Sequence, residues 1–267
     1  MKVRNPRFDF SQVPRYWAAG NPLLTHYLNA FHVLIPEGER FFIRCARPYL
    51  ESLPEGADRQ RCRDFMGQEG WHQAAHRAFW QRLAEQGLPV VRFARVYEQL
   101  SFGFAEKRLA PALGRRRMLA ITAALEHYTA VLSREIFMPG FPGDELDPEM
   151  DRLHRWHGAE ELEHKAVAFD LHVADGGGYA ERAAAFAIAS AGVLGWSLIG
   201  LAWFSAGDRK FWRALPGGLK GTRRVLNARA ARRVGGALLS YLQPGFHPDQ
   251  LADPESAFVY LETCVAA

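Results

Sequence analysis

Apolar residues in this chain fall in long blocks divided by proline and glycine, with a helical rhythm and few persuasive strand patterns. Val90-Val91-Arg92-Phe93 comes nearest to a strand and is too short for one. The pattern predicts helix A over Leu23–Leu53, broken near Pro36-Glu37-Gly38, and a turn at Pro54–Asp58. Helix B follows over Asp58–Gln86 and stops at Gly87 and Pro89. A connecting helix fits Val91–Arg108, Pro111 and Gly114 interrupt it, and helix C covers Arg115–Phe137. Turn residues fill Pro139–Pro148. Asp147 and Pro148 then supply an N-cap and a first-turn proline for helix D, which should reach Ala174 before Asp175-Gly-Gly-Gly178. Residues 1–22, with Pro6, Pro14 and Pro22, form an arm.

Two further segments are apolar in different ways. Ala183–Ala206 has no charged residue and is long enough to cross a bilayer. Its small residues, among them Ala191, Gly192, Gly195 and Gly200, suit close packing against protein as well as lipid. Lys220–Leu242 alternates apolar positions with Arg223-Arg224, Arg229 and Arg232-Arg233, and Gly235-Gly236 should interrupt it. The chain past Pro244 reads as a turn and a short helix. The fold class expected is all-α: a ferritin-like four-helix bundle over residues 1–178 with its N-terminal arm, and a C-terminal helical extension over 179–267, packed on the bundle or at a membrane.

Glutamates interrupt these apolar blocks where a carboxylate is costly. Glu126 sits in Met118–Ser133, a run with almost no other charge, and Glu39 precedes Phe41, Phe42 and Ile43. Each is followed, one helix later, by Glu-x-x-His: Glu69-Gly-Trp-His72 and Glu161-Leu-Glu-His164. A Glu and a His three apart share a helix face. With 18 Glu and 10 His in 267 residues, chance supplies about 0.7 such steps, so the order matters more than the motif. The spacings Glu39–Glu69 and Glu126–Glu161 each fit one half-helix out, a turn and one half-helix back. Four carboxylates brought together would repel, and two divalent ions would neutralise them, as in di-iron and di-manganese carboxylate bundles. His157, Glu161 and His164, at i, i+4 and i+7, share one stripe, so His157 is a further candidate ligand. The candidate set is Glu39, Glu69, His72, Glu126, His157, Glu161 and His164. Nitrogen enrichment favours two iron ions, with manganese or zinc as alternatives. His76, one turn after His72, is expected to support a ligand, with an eighth-ligand role as the alternative, and Glu160 or Glu163 to pair with Lys165 or to hold a ligand imidazole.

At 267 residues and 48% hydrophobic, the chain can bury a sizeable core. Cys45, Cys62 and Cys264 have no ligand spacing and suit a reducing compartment. The first residues lack the apolar core of a signal peptide, so the expected location is cytoplasmic, or peripheral at the inner membrane. The net charge of +4 is concentrated in residues 207–235, where Asp208 is the one acid; a solvated face and an anionic or lipid partner through 183–242 both fit. There is no phosphate loop, nucleophile elbow, helix-turn-helix or zinc finger, and no nucleic-acid partner is expected.

Ile35-Pro-Glu-Gly-Glu-Arg-Phe-Phe42, Gln68-Glu-Gly-Trp-His72, Ala124-Leu-Glu-His-Tyr-Thr129 and Trp156–Asp170 resemble a bacterial family labelled predicted metal-dependent hydrolases, and Pro244-Gly-Phe-His-Pro248 extends the likeness. The ligand order is also similar to that of the di-iron arylamine N-oxygenases, in which a third histidine stands four residues before the last Glu-x-x-His; here that residue is His157. The leading expectation is a di-iron oxidoreductase that activates dioxygen to oxidise a small organic substrate, served by an electron donor and assembled as a homodimer. The alternatives are a two-metal hydrolase, as the family label implies, or a non-catalytic metal-binding protein.

Overall fold

A computed structural model describes residues 1–138, 145–215 and 228–263. Among these the chain is all-α, with no strand and one isolated β-bridge, Ala18 to Leu146. The helices are α1 (Pro22–Ser52), α2 (Ala57–Glu85), α3 (Val90–Glu98), a π-helical segment (Gln99–Glu106) and α4 (Lys107–Ile136), then α5 (Pro148–His164), α6 (Val167–Ala174), α7 (Tyr179–Ser205), α8 (Ala228–Ser240) and α9 (Glu255–Thr263). Helices α1 and α2 pair, α4 and α5 pair, and the two pairs pack together through α1 with α4 and α2 with α5.

Local chemistry sets the starts. Asn21 caps α1 by accepting from the Leu23 and Leu24 amides, with Pro22 in the first turn. Asp147 caps α5 in the same way, accepting from Glu149 and Met150 ahead of Pro148, as the sequence predicts. At Gly114, φ is 74° and ψ 167°, a conformation that favours glycine, and α4 kinks there.

Three expectations need correction. Helix α1 runs through Pro36 without a break. A proline removes the amide that would bond to the carbonyl four residues back. That carbonyl, on His32, accepts instead from the Trp80 indole at 3.0 Å, so α2 satisfies the group that Pro36 leaves free. Helix D is not continuous to Ala174: the chain turns at Lys165–Ala166 between α5 and α6. Lys165 is drawn inward there, its Nζ 2.9 Å from the Leu251 carbonyl and 2.6 Å from Asp253. Gly235-Gly236 does not interrupt α8, which spans both. Its first predicted part, 220–227 with Arg223-Arg224, lies outside the described residues, as do 139–144 of the predicted loop and Cys264.

The apolar interior is in two parts. Phe10, Val13, Trp17, Val33, Phe79, Met150 and Trp156 belong to one cluster. Phe41, Phe42, Phe65, Leu119, Phe169 and Phe186 belong to the other. Along α1 the change comes between Val33 and Phe41, and along α2 between Phe65 and Ala75. Glu39, Glu69 and His72 occupy those gaps. Each core aromatic contributes about 1.5–3 kcal/mol by leaving water, and the polar cluster between the two cores is held in place by both.

Helix α7 lies against α1 and α4. Gly200 makes the approach possible, because a Cβ there would stand 2.5 Å from that of Ala30. Gly192 and Gly195 face open space. Tyr128 donates to Ser190 across the α4–α7 contact at 2.6 Å. Ile188, Leu194, Leu198 and Ile199 stay exposed on the other face, and α7 is the one helix among the described residues long and apolar enough to cross a membrane. The following segment folds back: Arg182 donates to the carbonyls of Tyr241 and Gln243, and Arg233 pairs with Glu135 on α4.

Candidate metal centre

Each of the four paired helices turns at least one acidic side chain inward at the same level. Helix α1 brings Glu39, α2 brings Glu69 and His72, α4 brings Glu126, and α5 brings His157, Glu161 and His164. All seven are buried, the most open being His157 at 7%. The structure therefore gathers every residue of the sequence-derived set.

The donor atoms fall into two groups, each with its atoms within 4.8 Å of one another: Glu39, His72, His157 and Glu161, and Glu69, Glu126 and His164. Two carboxylates reach both groups. Glu161 Oε1 is 2.7 Å from His157 Nε2 while its Oε2 is 3.4 Å from His164 Nε2. Glu69 Oε1 is 3.3 Å from His164 Nε2 and its Oε2 is 3.8 Å from His72 Nδ1. Glu126 reaches His164 at 3.3 Å, and Glu39 reaches His157 at 3.5 Å. The carboxylates of the two Glu-x-x-His steps thus reach histidines of both groups, whereas Glu39 pairs with His72 and His157 of its own group and Glu126 with His164 of its own.

The inward atoms are left without ordinary partners. Both oxygens of Glu39, Glu69 and Glu126, Glu161 Oε2, His72 Nδ1 and His164 Nε2 are buried and make no hydrogen bond. Such atoms are costly in a protein interior unless something else satisfies them. Oxygen and imidazole donors aimed at one small volume fit divalent transition-metal ions, and two groups fit two ions.

A match to the family model described as "Predicted metal-dependent hydrolase" covers residues 2–252. The chain belongs to this family. No curated protein and no solved structure matches it. In this metal-dependent hydrolase family member the donor set and the family description agree on metal.

The electrostatics point the same way. Burial, and then the charges of Glu161 and Glu126, push the Glu39 carboxyl well above its ordinary range. Glu69 is pushed up by burial and by Glu126, Glu39 and Glu161. Burial and Glu161 raise Glu126 to about 8, against the pull of His164. Burial acts on Glu161 too, but His164 and the hydrogen bond from His157 outweigh it and hold this carboxylate low. Against burial, Glu126 and Glu161 lift His164 to about 9, while burial and His157 push His72 down. Without cations burial and mutual repulsion favour the protonated forms of Glu39, Glu69 and Glu126, and cations among them would favour the ionised forms.

Each histidine of the set holds its second ring nitrogen on an outer partner, as imidazole ligands usually do. His72 Nε2 is 3.0 Å from Glu160, His164 Nδ1 is 3.1 Å from Gln68 Oε1, and His157 Nδ1 is 2.7 Å from His76 Nε2. Glu160 and Glu163 are both held by Arg4, at 3.1 and 2.8 Å, and Glu163 also accepts from Gln68 at 2.8 Å. Glu160 and His76 each meet a ring nitrogen of a candidate ligand, His72 and His157 respectively. Lys165 instead pairs with Asp253. Arg4 and Gln68 escaped the sequence reading. Gln68 adjoins Glu69 and could have been flagged; Arg4 sits in an arm with no periodicity to place it. His32 and His154 also looked ordinary in sequence, yet His32 stands between His76 and His154. His127 turns away, to the Ala237 and Leu238 carbonyls of α8.

Proposed function

We propose that this protein is a metal-dependent hydrolase that works with two adjacent divalent ions held by Glu39, Glu69, His72, Glu126, His157, Glu161 and His164. The observation that carries this reading is the set of buried, unpartnered oxygens and nitrogens that four helices aim at one point. The family description supports hydrolysis over the oxidative reading. Bound ions would supply a deprotonated water near neutral pH and polarise a carbonyl or phosphoryl oxygen. The chain's own part is to fix the donors. Glu161 and Glu69 each reach histidines of both groups, and Glu39 and Glu126 each pair within one. Glu160, Gln68 and His76 hold the three imidazoles by their outer nitrogens, and Arg4 ties Glu160 to Glu163. Phe65 and Trp156 cover His164 and His72 edge-on and keep bulk water from them.

Purified protein loaded with zinc, manganese or iron and offered panels of small esters, amides and phosphoesters should turn over at least one class, and Glu161→Gln should abolish that turnover. Inertness with all three metals would defeat the reading. The second reading is a di-iron oxidoreductase that uses dioxygen, a small organic substrate and an electron donor. Its support is the nitrogen-rich Glu39 group and the burial of the whole set, which a diatomic gas penetrates more readily than an ester. Oxygen consumption by iron-loaded, reduced protein that hydrolyses nothing would select it. Metal uptake with neither activity would leave a non-catalytic metal-binding protein.

A further inference from the structure

Behind His157 the structure holds three more imidazoles in a single file. His157 Nδ1 is 2.7 Å from His76 Nε2, His76 Nδ1 is 2.8 Å from His32 Nδ1, and His32 Nε2 is 3.0 Å from His154 Nε2. At the other end His157 Nε2 is 2.7 Å from Glu161 Oε1. The file uses both nitrogens of three rings and crosses from α5 to α2 to α1 and back to α5. His32 and His76 are buried, and His154 is partly exposed. Trp17 and Phe79 wall the file by edge contacts on His32 at 5.5 and 5.1 Å. The last atom, His154 Nδ1, is itself buried and has no hydrogen-bond partner, and neither has Asn29 Nδ2; both residues contact Trp17.

Proton counting restricts what such a file can be. Every nitrogen–nitrogen contact needs one N–H and one lone pair. Four rings with one proton each satisfy all three contacts only if every N–H points the same way along the file. Glu161 sets that direction when it accepts from His157 Nε2. His157 Nδ1 then accepts from His76 Nε2, His76 Nδ1 from His32 Nδ1, and His32 Nε2 from His154 Nε2, which leaves a lone pair at His154 Nδ1. The opposite direction holds when His157 Nε2 carries no proton: each ring then bears its N–H on its other nitrogen, and His154 Nδ1 becomes the donor.

We propose that His157, His76, His32 and His154 form a proton relay between the metal centre and the far side of the α1–α2–α5 contact, with its direction set by whether His157 Nε2 holds a proton or a metal ion. This rests on the metal centre proposed above. A proton taken up at His154 Nδ1 displaces the proton at its Nε2 to His32 Nε2. His32 passes its Nδ1 proton to His76 Nδ1, His76 passes its Nε2 proton to His157 Nδ1, and His157 releases its Nε2 proton by way of Glu161 Oε1 to solvent as an ion takes its place. One proton enters, one leaves, and each ring ends neutral with its N–H moved to the other nitrogen. Ligand and relay share His157, so occupancy of the centre is felt at His154.

The test reads tautomers rather than turnover. Full-length protein with 15N-labelled histidine is stripped with chelator, titrated with zinc and followed by long-range 1H–15N correlation spectra, with bound zinc counted by elemental analysis. On loading, the N–H of His76 should move from Nε2 to Nδ1, that of His32 from Nδ1 to Nε2, and that of His154 from Nε2 to Nδ1. Stoichiometric zinc with His32 and His154 unchanged overturns the relay and leaves the centre standing. No zinc uptake overturns both. In His32→Phe the file is cut, so His76 should still switch and His154 should not; a switch at His154 in that variant would overturn the proposal. Should His32→Phe not fold, the wild-type spectra decide alone.

Discussion

The half of the centre around Glu39 and the half around Glu126 share their chemistry and differ in how they are backed. The Glu39 half has two imidazoles, one on the Glu160 carboxylate and one on the His76 ring. The Glu126 half has one, held by the side-chain amide of Gln68, which itself leans on Glu163. Arg4 touches both backings. The difference teaches that a pseudo-symmetric ligand pattern need not make two equivalent sites. With two carboxylates each, the first half has one more imidazole and is linked to a long file of rings, and the second has a single imidazole and is closed by an amide, an acid and a guanidinium.

The largest expected effect comes from removing what the halves share. Glu161 is within reach of His157, His72 and His164, so Glu161→Ala takes a donor from both groups. Metal content, measured by elemental analysis after zinc or iron loading, should fall from two ions per chain to well below one. Retention of both ions would refute the shared role of this carboxylate.

Next come the outer carboxylates, which separate the halves. Glu126→Gln should lose the ion beside His164 and keep the other, and Glu39→Gln should do the reverse, each leaving about one ion per chain with affinity reduced beyond the range of a supporting contact. With cobalt as the probe, the visible spectra of the two variants should differ, because one remaining ion has two nearby imidazoles and the other has one. Identical spectra would mean that the halves are equivalent.

The backing residues should cost less, about 10–100-fold in metal affinity for each ligand support removed. Gln68→Ala should weaken only the Glu126 half, and His76→Phe only the Glu39 half. Arg4→Ala should weaken both, since it frees Glu160 and Glu163 together. Competition with a chromophoric chelator, read as two stepwise constants, distinguishes these outcomes. An Arg4→Ala protein with unchanged constants would show that the N-terminal arm is only a cover.

How much of this was legible beforehand depends on whether a residue's role is local. Glu39, Glu69, His72, Glu126, His157, Glu161 and His164 could be read because helix spacing places each one, and because a carboxylate in an apolar run signals a cost that something must offset. Asp147-Pro148 announced the start of α5 for the same reason. Arg4, His32 and His154 could not be read, since their partners stand 156 or more, 44 and 122 residues away in sequence, and only the packed fold brings them together. Pro36 misled because its helix-breaking tendency is local while its remedy, the Trp80 indole, is not. Lys165 misled likewise: its helix ends where Asp253 and the Leu251 carbonyl pull it inward.

The smallest effect is one of pH, and it too divides the halves. In the metal-free protein Glu126 is raised to about 8 and His164 to about 9. A folded-state pKa above the unfolded one means that the native fold favours the protonated form, so the contribution is complete below the unfolded value and is lost as pH rises through the folded one. These two groups therefore give the metal-free protein a stability that falls as pH rises, from the ordinary carboxylate range up to about 8 for Glu126 and from the ordinary imidazole range up to about 9 for His164, and that levels off above those values. Glu161, held below its ordinary range by His164 and His157 against burial, gives the opposite limb, present above the unfolded value and lost only in acid. Metal reverses the alkaline trend, since ionised ligands bind it better. The melting temperature of chelator-treated protein should drop by about 5 °C between pH 7 and pH 9, equivalent to roughly 1–3 kcal/mol for a chain of this size, while zinc-loaded protein holds level or rises. Glu126→Gln cannot ionise and should remove its share of the fall, which lies below about pH 8. A wild-type metal-free curve that is already flat from pH 7 to pH 9 would mean that the Glu126 half carries no excess proton, and the electrostatic contrast between the halves would fall.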